Sequence, residues 1–91
     1  MTVIGERWTV LILRDLFLQG PCRFRGLQES LAGIAPSTLS ARLKSLEAHG
    51  IIERRFYEIH PPRAEYHLTP KGRALGPVIQ ALRDWGEQHA T

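Results

Sequence analysis

The stretch from residue 35 to residue 50, APSTLSARLKSLEAHG, constrains the fold more than any other part of the sequence. Leu39, Leu43 and Leu46 are spaced i, i+4 and i+7, which places them on one face of an α-helix. Pro36 suits the first helical position and Gly50 the position just past the last turn, so both helix ends are marked. A slim helix with a short, polar opposite face suits the major groove of DNA. The side chains on that face are Ser37, Thr38, Ala41, Lys44, Ser45 and Ala48.

The residues around this helix predict a winged helix-turn-helix. A shorter helical pattern over residues 23–31 ends at Ala32 and Gly33, so the two helices form a helix-turn-helix whose second helix is the reader. After Gly50 the apolar period changes from that of a helix to that of a strand. A turn over residues 59–63 then joins two antiparallel strands. Two such strands directly after a helix-turn-helix form a wing.

Further helices are predicted near both ends of the chain, and Thr69 and Pro70 mark the start of the last one. The predicted fold class is therefore α+β, a winged helix-turn-helix in one domain spanning residues 1–91. Its parts are expected at about 6–18 for the first helix, 24–49 for the helix-turn-helix, 51–68 for the wing and 70–88 for a C-terminal helix.

The composition indicates a small folded domain with an anionic partner. Hydrophobic residues make up 43% of the chain, and neither a membrane-spanning run nor a signal peptide is visible, which predicts a cytoplasmic protein. The net charge is +3, and residues 23–63 hold that surplus with seven cations against four acids. Ten of the twelve cations are Arg, whose guanidinium suits bidentate phosphate contacts. The four His lack metal-ligand spacing, and no metal or cofactor is expected.

DNA contacts are predicted on the polar face of the 35–50 helix, where hydroxyls would meet bases or phosphates and a methyl group a thymine. The residues assigned to this contact are Pro36, Ser37, Thr38, Ser40, Ala41, Arg42 and Lys44. The alternative is a solvated helix face. For Arg42 a second alternative is an ion pair with Glu47 or Glu53.

Other DNA contacts are predicted from basic side chains outside that helix. His60 and Arg63 lie in the wing turn, where they would contact phosphate or reach the minor groove; a solvated turn is the alternative. Arg54 and Arg55 point to opposite faces of one strand, so at most one of them faces DNA, and Arg55 is assigned to it. The backbone contacts assigned to the first motif helix are Arg23 and Arg25.

The first helix is apolar on nearly all sides, which is more than one small domain can cover, and the last helix carries a long apolar stripe, so part of this surface is expected to meet another subunit. The interface residues expected there are Trp8, Ile12, Leu75, Val78, Ile79, Leu82 and Trp85. For the two Trp side chains, packing in the core or the dimer is favoured over lining an aromatic ligand pocket between subunits.

Four sequence blocks carry a family resemblance over almost the whole chain: IGERWTVLILRDLFLQGPCRF, IAPSTLSARLKSLEAHGIIERR, PPRAEYHLTPKGRAL and LRDWGEQH. In this order and spacing they resemble HxlR-type winged-helix transcriptional regulators, relatives of the MarR group. The resemblance implies a cytoplasmic homodimer that binds double-stranded, pseudo-palindromic operator DNA. Each subunit would place its recognition helix in a major groove and its wing on the adjacent backbone. The resemblance leaves room for a small-molecule or redox effector of unidentified nature.

Two departures from the family pattern concern a thiol and a helix cap. Members commonly carry a Cys-Pro segment ahead of the first block, and this chain is expected to lack it because it begins three residues before Ile4. Cys22 lies in a turn instead, where an ordinary free thiol is favoured over a redox role, although Arg23 nearby could lower its pKa. Where the family often has Ser as the N-cap of the reading helix, this chain has Ala35.

Two other function classes are weaker interpretations. A winged helix can also serve as a protein-interaction or dimerisation module without DNA binding, but the placement of the Arg residues favours DNA. An enzyme is disfavoured because the sequence has no paired nucleophile and base, no metal cluster and no phosphate-binding loop.

Overall fold

The structure, a computed structural model, describes residues 7–89 and has the element order of a winged helix-turn-helix. The helices in chain order are α1 (Arg7–Gln19), α2 (Phe24–Ser30), α3 (Pro36–Ala48), α4 (Pro70–Arg73) and α5 (Gly76–His89). Strands β1 (Ile52–Glu58) and β2 (Arg63–Leu68) lie between α3 and α4. This architecture confirms the predicted fold class. That the whole chain is one domain stays a prediction, and the predicted start of the first helix at residue 6 lies outside the described residues.

The core of the described residues is one apolar cluster that α3 anchors. Leu39, Leu43 and Leu46 are at most 1% exposed, which confirms the predicted apolar seam. Helix α1 contributes Ile12, Leu13 and Leu16, which are buried in the same apolar cluster. Because burying each such side chain contributes roughly 1.5–3 kcal/mol, the seam fixes which side of α3 faces the core.

Two glycines with left-handed backbone set the turns on either side of α3. Gly33 has φ +96° in the turn between α2 and α3, and Gly50 has φ +73° just past the end of α3. An L-amino acid with a Cβ rarely adopts this region, so each turn depends on the absence of a side chain. The predicted stop at Gly50 is thereby confirmed.

The wing is an antiparallel hairpin that runs from the core into solvent. Its register pairs Ile52 with Leu68 at the buried root and Glu58 with Arg63 at the far end, with an irregularity between Phe56 and Glu58. Beyond Glu53 every residue of β1 is exposed. Only the root of the hairpin therefore belongs to the core.

A third backbone segment pairs with the wing at Cys22. The N–H of Cys22 donates to the carbonyl of Tyr66 over 3.1 Å, and the N–H of Tyr66 donates back over 2.7 Å. This bridge ties the turn between α1 and α2 to β2. The sequence pattern did not predict it, because one residue pair is too short to show strand periodicity.

The C-terminal helix predicted over residues 70–88 is two helices, so that prediction is wrong. Helix α4 ends at Arg73, and α5 begins at Gly76 with Pro77 in its first turn. Proline has no N–H to donate and its ring clashes with the carbonyl four residues earlier, so a helix cannot continue through it without cost. In the first turn of a new helix the same residue is tolerated, which explains the break.

The start of α4 holds the end of α3 in place. Thr69 caps α4 as predicted, since its Oγ1 accepts a hydrogen bond from the Gly72 N–H over 3.0 Å. The same hydroxyl lies 2.5 Å from the Gly50 carbonyl oxygen and 3.0 Å from that of Ile51. Lys71 Nζ donates to the His49 carbonyl over 2.8 Å. We call residues 69–72 the clamp, because they hold the carbonyl groups of the three residues that follow α3.

No helix within residues 7–89 is long and apolar enough to cross a membrane.

Replacing Gly72 with Ala tests the clamp. A methyl group at this position would overlap the Ile51 carbonyl oxygen and lie 3.2 Å from Leu68 Cδ2. Because the overlap is with backbone, we expect Gly72→Ala to lower the free energy of unfolding by roughly 1–3 kcal/mol, measured by denaturant titration. Gly26→Ala is the matched control, since nothing lies within 4 Å of a Cβ there. Because Gly26 lies within a helix, Gly26→Ala should raise the free energy of unfolding by about 0.5–1 kcal/mol. Equal free energies of unfolding for the two variants would contradict the role of the clamp.

Candidate nucleic-acid interface

The outer face of α3 carries mostly small side chains and is open to solvent. Pro36, Ser37, Ala41, Lys44 and Ala48 are exposed. Thr38, Ser40 and Arg42 lie at the edges of this face and are half-buried. The structure therefore places Ser37, Ala41 and Lys44 on the side of α3 opposite the leucine seam, while the other predicted residues of the helix lie nearer to the seam.

The cations at this face differ in how they are engaged. Within residues 7–89, Lys44 has no acidic partner, so its ammonium is open to an external anion. The two acids considered as partners for Arg42 are engaged by other arginines. Glu47 pairs with Arg54 at 3.1 Å, and Glu53 pairs with Arg55.

The N-terminal end of α3 has no side-chain cap. Ala35 is the N-cap residue, with φ −71° and ψ 143°, and within the described residues 7–89 it provides no side-chain hydrogen bond to cap the first amides. The carbonyl of Ala35 still accepts the Leu39 N–H over 3.0 Å, so the helix begins normally. Free amides and the positive end of the helix dipole together suit a phosphate group.

The wing cations are all close to acids in the described structure. Arg63 lies 3.4 Å from Glu58 across the end of the hairpin, and Arg55 pairs with Glu53 two residues earlier on the same strand face. Both pairs are about half-exposed, and exposed pairs of this kind contribute about 0–1 kcal/mol. A DNA phosphate could therefore displace either acid at small cost. His60 is exposed in the turn.

The two arginines assigned to the first motif helix are in different environments. The guanidinium of Arg23 lies 4.7 Å from the centre of the Tyr57 ring, a cation–π contact that joins the start of α2 to the wing. Arg25 is exposed and pairs with Glu29 at 3.4 Å along α2. The Arg23–Tyr57 contact was not predicted, because the two residues are distant in sequence and neither carries a local signal for the other.

A buried acid that sequence reasoning missed connects α1 to α2. Asp15 is 2% exposed, and its Oδ2 accepts a hydrogen bond from Ser30 Oγ over 2.6 Å. Its Oδ1 lies 3.1 Å from an Arg14 guanidinium nitrogen. The available signal was the position of Asp15, three residues after Ile12 on the apolar side of a helix, where a buried carboxylate needs partners.

Comparison with known proteins agrees with this geometry. A model of the HxlR-like helix-turn-helix family matches residues 3–91. This chain belongs to that family. The uncharacterized HTH-type transcriptional regulator sll1512 of Synechocystis is 42% identical over 97% of this chain and 67% of its own length.

Solved structures of regulators with the same fold are similar to the HxlR-like chain. The redox regulator HypR in its reduced form has a TM-score of 0.86 and 35% identity, covering 94% of this chain and 84% of that one. The reduced transcriptional regulator YodB from B. subtilis has a TM-score of 0.83 and 37% identity, covering 98% and 86%. The HxlR-like chain is thus a DNA-binding transcriptional regulator and not an enzyme.

The dimer residues predicted for this HxlR-like chain divide into three groups by their exposure. Ile12 and Ile79 are 0% and 3% exposed and belong to the chain's own core, and their assignment to a subunit interface stays a prediction. Trp8 and Leu75 are half-buried and pack against the core. The three remaining residues are largely exposed: Val78 to 41%, Leu82 to 40% and Trp85 to 63%. They are spaced i, i+4 and i+7 along α5, so they lie on one face of that helix.

The Cys22 thiol is buried in the described structure. It is 8% exposed, and its S–H donates to the Gly20 carbonyl over 3.2 Å. Burial raises the pKa of the Cys22 thiol, and the nearby charges of Asp15 and Glu65 raise it further. The pKa is therefore raised, which is opposite to the lowering that Arg23 could have produced. The guanidinium of Arg23 lies on the Tyr57 ring instead.

The four His and Cys22 do not come together. Among residues 7–89 no group of three metal-ligating side chains lies close enough to hold a metal ion.

The raised pKa of Cys22 predicts slow reaction with alkylating agents. The thiolate is the nucleophile, and its fraction at pH 7 is smaller in the folded chain than in the unfolded chain. We expect iodoacetamide to modify the folded protein several-fold more slowly than the urea-unfolded protein, as measured by mass spectrometry. The rate for the folded protein should rise as the pH approaches the raised pKa. Equal rates at pH 7 would show that the thiol is accessible and unperturbed.

Proposed function

We propose that this transcriptional regulator binds operator DNA as a homodimer, with α3 in the major groove and the wing against the adjacent backbone. The observation that carries the proposal is the outer face of α3. Its hydroxyl, methyl and ammonium groups are presented outward while the leucine seam holds the helix in the core. No bulky side chain on that face prevents close approach to base edges.

Electrostatics supports the same orientation. Lys44 is open to a phosphate, and Arg25, Arg55 and Arg63 are held only by exposed ion pairs that phosphate can replace. The uncapped amides at the start of α3 add a neutral anion-binding element. Affinity would thus come mainly from phosphate contacts, and sequence discrimination from residues such as Ser37, Ser40 and Ala41.

The proposed dimer uses the exposed stripe of α5. Val78, Leu82 and Trp85 form an exposed apolar row on α5, beside Ile79, which packs into the core, and such a row is covered in a stable assembly. A second copy related by a two-fold axis would cover it and present a second α3. The operator would then be pseudo-palindromic, with half-sites about one helical turn apart.

HypR is described as a redox regulator. We do not extend redox regulation to this chain through Cys22, because the Cys22 thiol is buried and its pKa is raised. The effector and the cytoplasmic location stay predictions.

Loss of a phosphate contact at α3 should weaken binding in a salt-dependent way. We expect Lys44→Ala to reduce affinity several-fold for a site selected from random DNA, and to lower the slope of log K against log salt by about one. Fluorescence anisotropy at several salt concentrations measures both quantities. Arg73→Ala is the matched control, because it removes one positive charge from exposed α4. An equal effect of both variants would mean that only net charge matters, and absence of any binding at low salt would favour a protein-interaction module.

A charge placed in the α5 stripe should separate the subunits. Leu82→Glu introduces a carboxylate among apolar side chains, so we expect a monomer in sedimentation equilibrium and weakened operator binding. Gln80→Glu adds the same charge on the opposite side of α5, where it should leave the dimer intact. If Leu82→Glu sediments as the wild type does, the stripe is not the subunit interface.

A further inference from the structure

The tip of the wing carries an apolar surface that the fold does not use. Ile59 is 74% exposed in the wing turn, and Pro61 and Pro62 are exposed in the same turn. Phe56 on β1 is 58% exposed, and its ring is contacted by the Arg54 guanidinium at 5.7 Å. The apolar core ends at the root of the hairpin, where Ile52 and Leu68 are buried. Exposed apolar clusters of this kind mark contact sites, since the folded state gains nothing from them.

The charge of the wing does not indicate which molecule its tip contacts. Residues 52–68 contain three Arg and three Glu, so the wing has no net formal charge when its His are neutral. The arginines are each close to a glutamate, in the pairs Arg54–Glu47, Arg55–Glu53 and Arg63–Glu58. Residues 23–51, in contrast, hold four cations against two acids. Long-range attraction to DNA therefore comes from α2 and α3, and the contact of the wing tip is short-range.

The minor groove of DNA offers a surface for such a contact. Apolar side chains, Ile, Phe and Pro among them, insert between base steps there and partly unstack them. Ile59 suits this role because a β-branched side chain is stiff about χ1 and keeps its shape on insertion. Pyrimidine–purine steps such as TA and CA/TG unstack most easily, so an inserted side chain favours them.

We propose that Ile59 is a minor-groove wedge, through which the wing selects a flexible pyrimidine–purine step beside the half-site read by α3. This inference rests on the DNA binding proposed above and adds a residue that determines specificity without hydrogen bonds to bases. DNA is the occupant rather than a second copy of the chain, because the α5 stripe already provides a separate apolar surface for that copy. The tip also belongs to the hairpin that directly follows α3.

The experiment uses the full chain and a site selected from random DNA. The fluorescent base 2-aminopurine is placed in turn at each step flanking the half-site, where unstacking raises its emission. We expect one step in each half-site to brighten on binding. Ile59→Ala should abolish that signal and weaken binding by about tenfold, with an unchanged salt slope because no charge is lost. Ile59→Val, which keeps a β-branched apolar side chain, should retain most of the emission increase and most of the binding affinity.

A change in the DNA provides the complementary test. Replacing the brightening step with a stiff A-tract should weaken binding of the wild type, while Ile59→Ala should lose nothing further. Equal affinity and equal emission for wild type and Ile59→Ala would overturn the wedge. So would a change in sedimentation mass for Ile59→Ala with its DNA signal intact, which would make the tip a protein contact. In both cases DNA binding persists, whereas failure of the wild type to bind any DNA would overturn the proposed function itself.

Discussion

The position of every candidate DNA contact depends on burial of the leucine seam of α3. Leu39, Leu43 and Leu46 are almost wholly inaccessible to solvent, and a helix so anchored cannot rotate without exposing them. Rotation is further opposed at the C-terminal end, where the clamp of residues 69–72 holds the carbonyls of His49, Gly50 and Ile51. The outer face of α3 is consequently presented by a rigid support, which is what recognition of base edges requires.

The clamp also connects the recognition helix to the helix proposed to form the dimer. Residues 69–72 begin α4, and α5 follows after a two-residue break. At the other side of the core, Asp15 links α1 to α2 through Ser30. The Thr69–Ile51 and Ser30–Asp15 hydrogen bonds are partly buried, and such groups are costly to leave unpaired. They would transmit the spacing of two subunits to the spacing of two α3 helices, and hence to the spacing of operator half-sites.

The distribution of charge and apolar surface suggests a division of roles between α3 and the wing. The helices carry the positive surplus, whereas the wing is electrically balanced and ends in exposed apolar side chains. Long-range attraction and base contacts then belong to the helices, and short-range shape recognition to the tip at Ile59. Such a division lets sequence be read both by hydrogen bonds and by the deformability of DNA.

The sequence by itself determined the parts whose signals are local. The 3.6-residue and two-residue periods, Pro36, Gly50 and the Thr69 cap predicted the recognition helix, the hairpin and the start of α4, because each depends on neighbours a few residues away. Only the tertiary structure decided matters that depend on distant partners. It showed that Ile12 and Ile79 fill the core although they share an apolar pattern with the exposed stripe of α5. It also showed that the Cys22 thiol is buried and its pKa raised, since the distant residues packed around that turn, and not its sequence neighbours, set its environment.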